Sequence, residues 1–175
     1  MKRRIAFGFV LIAVVVAGAA MYASAAPRAR AAGSAGTAPP LSMTILVTGQ
    51  KQGVFAKPAI PVSALSHEIV VPYDVSSGLP SGKRQHKPIS VTMQWGPWTP
   101  KFIAALVTGE NLKTVQIGLQ RSGTPVATIK LTNARLSHFV QTDQDTQFDM
   151  TYQKIEWTWL DGGITAEDLW SASAP

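Results

Sequence analysis

Cysteine is absent from all 175 residues. That excludes a disulfide framework, a thiolate metal site, a cysteine nucleophile and a bacterial lipoprotein anchor. Acidic side chains are scarce: 10 stand against 16 basic ones, for a formal charge of +6. Lys2, Arg3 and Arg4 supply three of the positive charges, so the rest of the chain holds 13 basic against 10 acidic residues. So small an excess gives a mildly basic surface and does not indicate nucleic acid. Only three histidines occur, His67, His86 and His138, in separate segments. They lack the His-x-x-x-His spacing and the carboxylate partner of a zinc site, so no metal and no cofactor is expected. No Gly-x-Ser-x-Gly elbow presents a serine, which leaves a triad of serine, His138 and Asp143 or Asp145 without a framework. The chain is therefore expected not to be an enzyme.

What is present begins with a leader. Lys2-Arg3-Arg4 is a positive n-region, Ile5 to about Ala20 an unbroken apolar stretch, and Ala23-Ser24-Ala25 a small-x-small cleavage site followed by Ala26. The three parts stand in the order of a secretory signal over residues 1–25. The alternative is an uncleaved anchor, since the apolar run from Ile5 to Ala26 is long enough to span a bilayer. Its many small residues favour cleavage, and a membrane enters only through an uncleaved leader. Residues 26–41 are rich in Ala, Pro, Gly and Ser without apolar periodicity, and read as a flexible linker.

The folded domain is expected over residues 42–175. Met43 to Thr48 and Ile69-Val70-Val71 are short β-prone runs. Ile89, Val91, Met93 and Trp95 alternate with polar residues, as do Val115, Ile117 and Leu119. Two more β-prone segments, Val126 to Leu131 and Ala134 to Val140, are separated by Asn133, a turn or bulge residue. From Phe148 to Trp159 the apolar parity switches: Phe148, Met150 and Tyr152 share one face, Ile155, Trp157 and Trp159 the other. The switch predicts a bulge near Gln153-Lys154, with Trp157 and Trp159 in the core. Asp161-Gly162-Gly163 reads as the turn that ends this strand, and Thr165 as the cap of a last helical turn. Thr99-Pro100, the apolar set Phe102, Ile103, Leu106 and Val107, and Gly109 predict one short helix capped by Thr99. The sum is a mainly β domain, a two-sheet β-barrel or sandwich with one short α-helix packed alongside.

Ser77 to Arg84 superficially matches a phosphate loop, but Ser77 stands where glycine is required and Arg84 where Ser or Thr is. The loop Gly78, Leu79, Pro80, Gly82, Lys83, Arg84, Gln85, His86, Lys87 reads instead as either a solvated excursion or a contact arm.

Gly49-Gln50-Lys51-Gln52-Gly53, Ser76 to Pro88, Thr99-Pro100, Ile129 to Ala134 and Tyr152 to Trp170 together resemble the Hcp family, the tube components of bacterial type VI secretion. The matches are in order and span Met43 to Trp170. The resemblance implies a homohexameric ring with a central pore, rings that stack into a tube inside a contractile sheath, contact with the spike protein, and small effectors carried in the pore. It makes the loop from Gly78 to Lys87 a contact between subunits or rings, and makes Ile155, Trp157, Trp159, Asp161, Gly162 and Gly163 a structural family motif. Two departures stand out. Val54 to Leu65 is short and irregular, so one edge of the fold is expected to differ. The leader is foreign to a family that is cytoplasmic before it is secreted, and it admits an alternative: an exported binding module in the periplasm or at the cell surface that keeps the fold and builds no tube.

Overall fold

A computed structural model describes residues 39–170. The leader, its cleavage residues Ala23, Ala25 and Ala26, and most of the linker lie outside the described residues.

Alternation in the sequence becomes strands. β1 (Leu41–Gly49) is flanked on one side by β2 (Gly53–Val54) and β3 (Ile60–Val62) and on the other by β8 (Leu112–Arg121). β8 pairs with the first part of β9 (Thr124–Gln141), whose other edge carries β11 (Lys154–Trp159) and then β12 (Ile164–Leu169). The second part of β9 belongs to another sheet, with β10 (Asp145–Thr151), β7 (Ile89–Gln94) and β4 (Ala64–Ser66) in that order. The sheets share β9 without closing into a barrel, giving the sandwich form of the expected class. All pairs are antiparallel.

Between the sheets lie Ile45, Val47, Ile89, Val91, Met93, Val115, Ile117, Leu131, Phe148, Met150 and Ile155, all fully buried. Burial of each such side chain contributes about 1.5–3 kcal/mol. The helix α1 (Thr99–Val107) packs on this core through Phe102 and Ala105. Phe102 stacks on Phe148 at 4.8 Å between centroids, and Phe148 on Phe139 at 4.9 Å.

Several expectations need correction. Thr99 is not the helix cap. It is the first helical residue, and its hydroxyl accepts the Gly96 N–H at 3.1 Å behind it, fixing the turn into the helix. Val107 faces solvent rather than the core. Trp95 is 50% exposed because β7 ends at Gln94 before it. The parity switch at residues 152–153 is no bulge within one strand. The chain leaves β10, passes a two-residue corner and re-enters as β11 on the other sheet, which turns Ile155 inward. After Asp161-Gly162-Gly163, with φ of +81° and +64° at the glycines, the chain returns as strand β12 instead of a helical turn. Asn133, at φ +52°, is the bend in β9. Val54 to Leu65 forms three very short strands, consistent with the irregularity read there.

Candidate functional site

Two surface features stand out. The first is an arm. β5 (Ile69–Val70) and β6 (Gln85–His86) form a separate two-stranded pair at its root. Beyond it Tyr73 bridges Pro80, the Asp74 N–H donates to Leu79 O at 2.8 Å, and the Ser81 N–H to Pro72 O at 2.9 Å. At the tip the Asp74 carboxylate accepts the Ser76 and Ser77 amides and hydroxyls. Those bonds, Ser76 first, hold its pKa down to about 2. The Gly78 N–H donates to Asp74 O, and φ +70° at Gly78 suits glycine. The amides of Ser76, Ser77, Gly78 and Ser81 are thus occupied within the arm and are not offered to a phosphate. It carries apolar side chains outward: Val71, Tyr73, Val75 (90% exposed) and Leu79 (65% exposed). A patch of that kind marks a contact surface.

Of the loop residues singled out in the sequence, Gly78, Leu79, Pro80, Gly82, Lys83, Gln85 and Lys87 are exposed along the arm. Arg84 and His86 turn back into the domain. Arg84 pairs through two nitrogens with the Asp168 carboxylate of β12. His86 is buried, with Nε2 2.8 Å from Asp168 Oδ2 and Nδ1 2.8 Å from the Tyr152 hydroxyl. The same hydroxyl lies 2.7 Å from His67 Nε2. Asp168 is held below the usual carboxylate range, chiefly by Arg84 and also by His86. Burial, with Asp168 adding to it, pushes the Tyr152 hydroxyl well above its ordinary pKa. The sequence reading treated these histidines as scattered. Their meeting point, the corner between β10 and β11, has no local signal beyond the parity switch.

The second feature is an uncovered stretch of the inner sheet face. Across β8, β9 and β11 the row Val115, Leu131, Ile155 is fully buried. The next row, Ile117, Ile129, Trp157, is only partly covered, although Ile117 itself is sealed. In the last row, Leu119, Ala127, Trp159, Ile164, Trp159 is 43% exposed. Trp159 is therefore outside the core it was predicted to join, because the second sheet does not extend over it. The last rows border an apolar groove of about 340 Å³. Ile155 is core, Trp157 packs at its edge, and Asp161, Gly162 and Gly163 form the exposed turn into β12.

The triad weighed in the sequence does not assemble. His138 is exposed, and its nearby carboxylate is Asp149 at 3.1 Å, neither Asp143 nor Asp145. Burial would raise the Asp149 pKa, but bonds from Ser90, Gln147 and His138 outweigh it and bring it below the usual value. The Ser90 hydroxyl donates to Asp149 Oδ1 at 2.6 Å while His138 bonds Oδ2, so the serine is paired with the carboxylate and not with the imidazole that a triad requires. Among the described residues no group of three metal-ligating side chains converges, and no helix is long and apolar enough to cross a membrane.

Residues 41–159 match the family described as "Type VI secretion system effector, Hcp". The "Major exported protein" of Pseudomonas aeruginosa is 29% identical over 161 residues, covering 71% of this chain and 92% of that protein. A crystal structure of an Hcp protein aligns with TM-score 0.68 at 26% identity, covering 74% of this chain and 99% of that one. The Hcp1 protein from E. coli EAEC 042, solved as a double mutant, aligns with TM-score 0.65 at 25% identity over 76% of this chain and 99% of its own.

Proposed function

The chain belongs to the Hcp family of type VI secretion tube proteins, and from that premise we propose that residues 42–175 form one subunit of a homohexameric ring whose subunits meet arm to groove. The observation that carries this is the pairing of two unlike apolar surfaces on one chain: the outward Val75 and Leu79 of the arm, and the uncovered row ending in Trp159 and Ile164. Unlike complementary surfaces make a heterologous contact, which closes into a ring when the rotation permits. The arm loop from Gly78 to Lys87 contributes through its exposed members, with Arg84 and His86 holding its root. Stacked rings form the tube, whose pore carries effectors and whose partners are the spike protein and the sheath. The relative's name, "Major exported protein", supports secretion. The leader over residues 1–25, cut after Ala25 where it is used, directs the chain to the exported binding module rather than to a tube built in the cytoplasm, and residues 26–41 are the linker to the domain.

The test is light scattering coupled to size exclusion on the full chain, with negative-stain images of the same peak. A hexamer with a visible central hole is expected. A monomer at high concentration would overturn the ring and favour the exported binding module.

A further inference from the structure

At the root of the arm, beside the Arg84–Asp168 pair, two histidines meet at one hydroxyl. His67 stands just before β5, His86 lies in β6, and both bond Tyr152 at the corner between β10 and β11. The two imidazoles lie 6.3 Å apart. Trp157 flanks His67, and Trp170 flanks both His86 and Tyr152. The charged groups facing the cluster are Asp168 of β12 and Arg84 of the arm. Glu68 and Lys87 flank it, joined by a backbone bond from the Lys87 N–H to Glu68 O.

Counting protons shows what the arrangement tolerates. With both rings neutral, His67 Nε2–H donates to Tyr152 Oη, Tyr152 O–H to His86 Nδ1, and His86 Nε2–H to Asp168 Oδ2. Every proton in that chain has an acceptor. One imidazolium is also tolerated. If His86 carries both protons, its Nδ1–H donates to Tyr152 and the tyrosine turns its own proton to His67. Two imidazoliums are not tolerated. Both rings then aim N–H groups at one oxygen, the tyrosine proton loses its acceptor, and two like charges face each other in a half-buried site. His86 has Asp168 beside it, and among the described residues no carboxylate pairs with His67, so His67 is the ring that must leave.

We propose that His67, Tyr152 and His86 form a proton-sensitive latch that fixes the arm at neutral pH and frees its root when both imidazoles are protonated. Burial, and then the charge of His86, lower the His67 pKa from its ordinary 6.5, as a latch that excludes the second proton requires. The sign follows from linkage. A depressed histidine favours the closed arm above about pH 6.5, and that preference is lost as pH falls toward the lower value in the closed state. The consequence for assembly rests on the arm-to-groove reading above; the latch itself does not.

Hydrogen exchange of the full chain, corrected for intrinsic rates, tests this from about pH 8 to about pH 5, where imidazole titrates. The amides of Asp74, Ser81 and Lys87 are expected to exchange severalfold faster at the acid end, while those of Val115 and Leu131 hold steady. His67→Gln keeps a donor and an acceptor for Tyr152 without a titrating charge, and should abolish the acid response. Arm exchange independent of pH, or an unchanged response in His67→Gln, would overturn the latch. Light scattering at about pH 8 judges the ring separately, so either reading can fail alone.

Discussion

A single carboxylate shows how much of this fold rests on polar groups placed inside it. Glu110 is buried just after α1, and its Oε1 accepts the amides of Lys51 at 2.6 Å and Gln52 at 2.9 Å. Oε2 accepts Gln52 Nε2 at 2.9 Å. Burial alone would raise its pKa, but these donors, Gln52 first, outweigh it and bring the group below 4.5. The turn Gly49 to Gly53 is thus closed by an ion it must keep. A Cβ at Gly49 would stand in contact with Glu110 Oε1 and within 2.9 Å of the Phe55 ring, which explains the glycine there. Because the folded pKa is depressed, the contribution is present above about pH 4.5 and is lost as pH falls through the folded value. Glu110→Gln should cost roughly 1–3 kcal/mol at neutral pH, since the new amide cannot accept at both positions and sets N–H against Gln52 Nε2. The same variant should lose less stability than the parent on acidification. Urea melts at neutral and acid pH read both effects. The Gly-Gln-Lys-Gln-Gly segment was visible in the sequence as a family feature. Its partner Glu110 was not, because 58 residues separate Gln52 from it and no period links them.

At the scale of elements, strand parity was the readable quantity, and departures from it mark where the chain changes sheet. Buried residues of β9 run Leu131, then Ala134 and Leu136, so the inward face shifts by one residue at Asn133. Asn133 also bridges the corner: its Nδ2 donates to Gln153 Oε1 at 2.9 Å, and its Oδ1 accepts from Asn111 Nδ2 at 3.3 Å. Asparagine enters the left-handed region more easily than other side chains. Asn133→Ala should therefore destabilise the domain by about 1–2 kcal/mol for the backbone alone. Asn133→Gly keeps the conformation, loses only the side-chain bonds and should fall between the two. Equal melts for Asn133→Ala and the parent would show that the bend is not held there. The sequence marked both shifts, at Asn133 and at residues 152–153. It did not reveal that they face each other across β9 and β11, because register is a long-range property. β12 was missed for a related reason. Ile164 to Leu169 is exposed at five of six positions, so no inward face imprints an alternation on it.

For the whole molecule, the decisive fact is that the inner face of one sheet outruns the other sheet. A monomer leaving Trp159 and Ile164 in water, together with an arm that exposes Val75 and Leu79, has two apolar surfaces and no internal use for either. Trp159 was assigned to the core because a sequence gives the parity of a strand and not the reach of the sheet that covers it. Arm-to-groove contact predicts a mixing result that a like-with-like contact does not. Leu79→Asp disables the arm and leaves the groove intact; Ile164→Asp does the reverse. Both positions are exposed, so neither charge should unfold the domain. Each variant alone should be monomeric by light scattering. Mixed, the intact arm of the Ile164→Asp subunit can enter the intact groove of the Leu79→Asp subunit, but the resulting pair presents only a disabled arm and a disabled groove. The mixture should stop at heterodimers and never close a ring. Were the surface isologous, each pair would need both copies of the same patch, and mixing would restore nothing. A heterodimer peak that appears only on mixing therefore identifies the contact as heterologous, and its absence would sink the arm-to-groove ring.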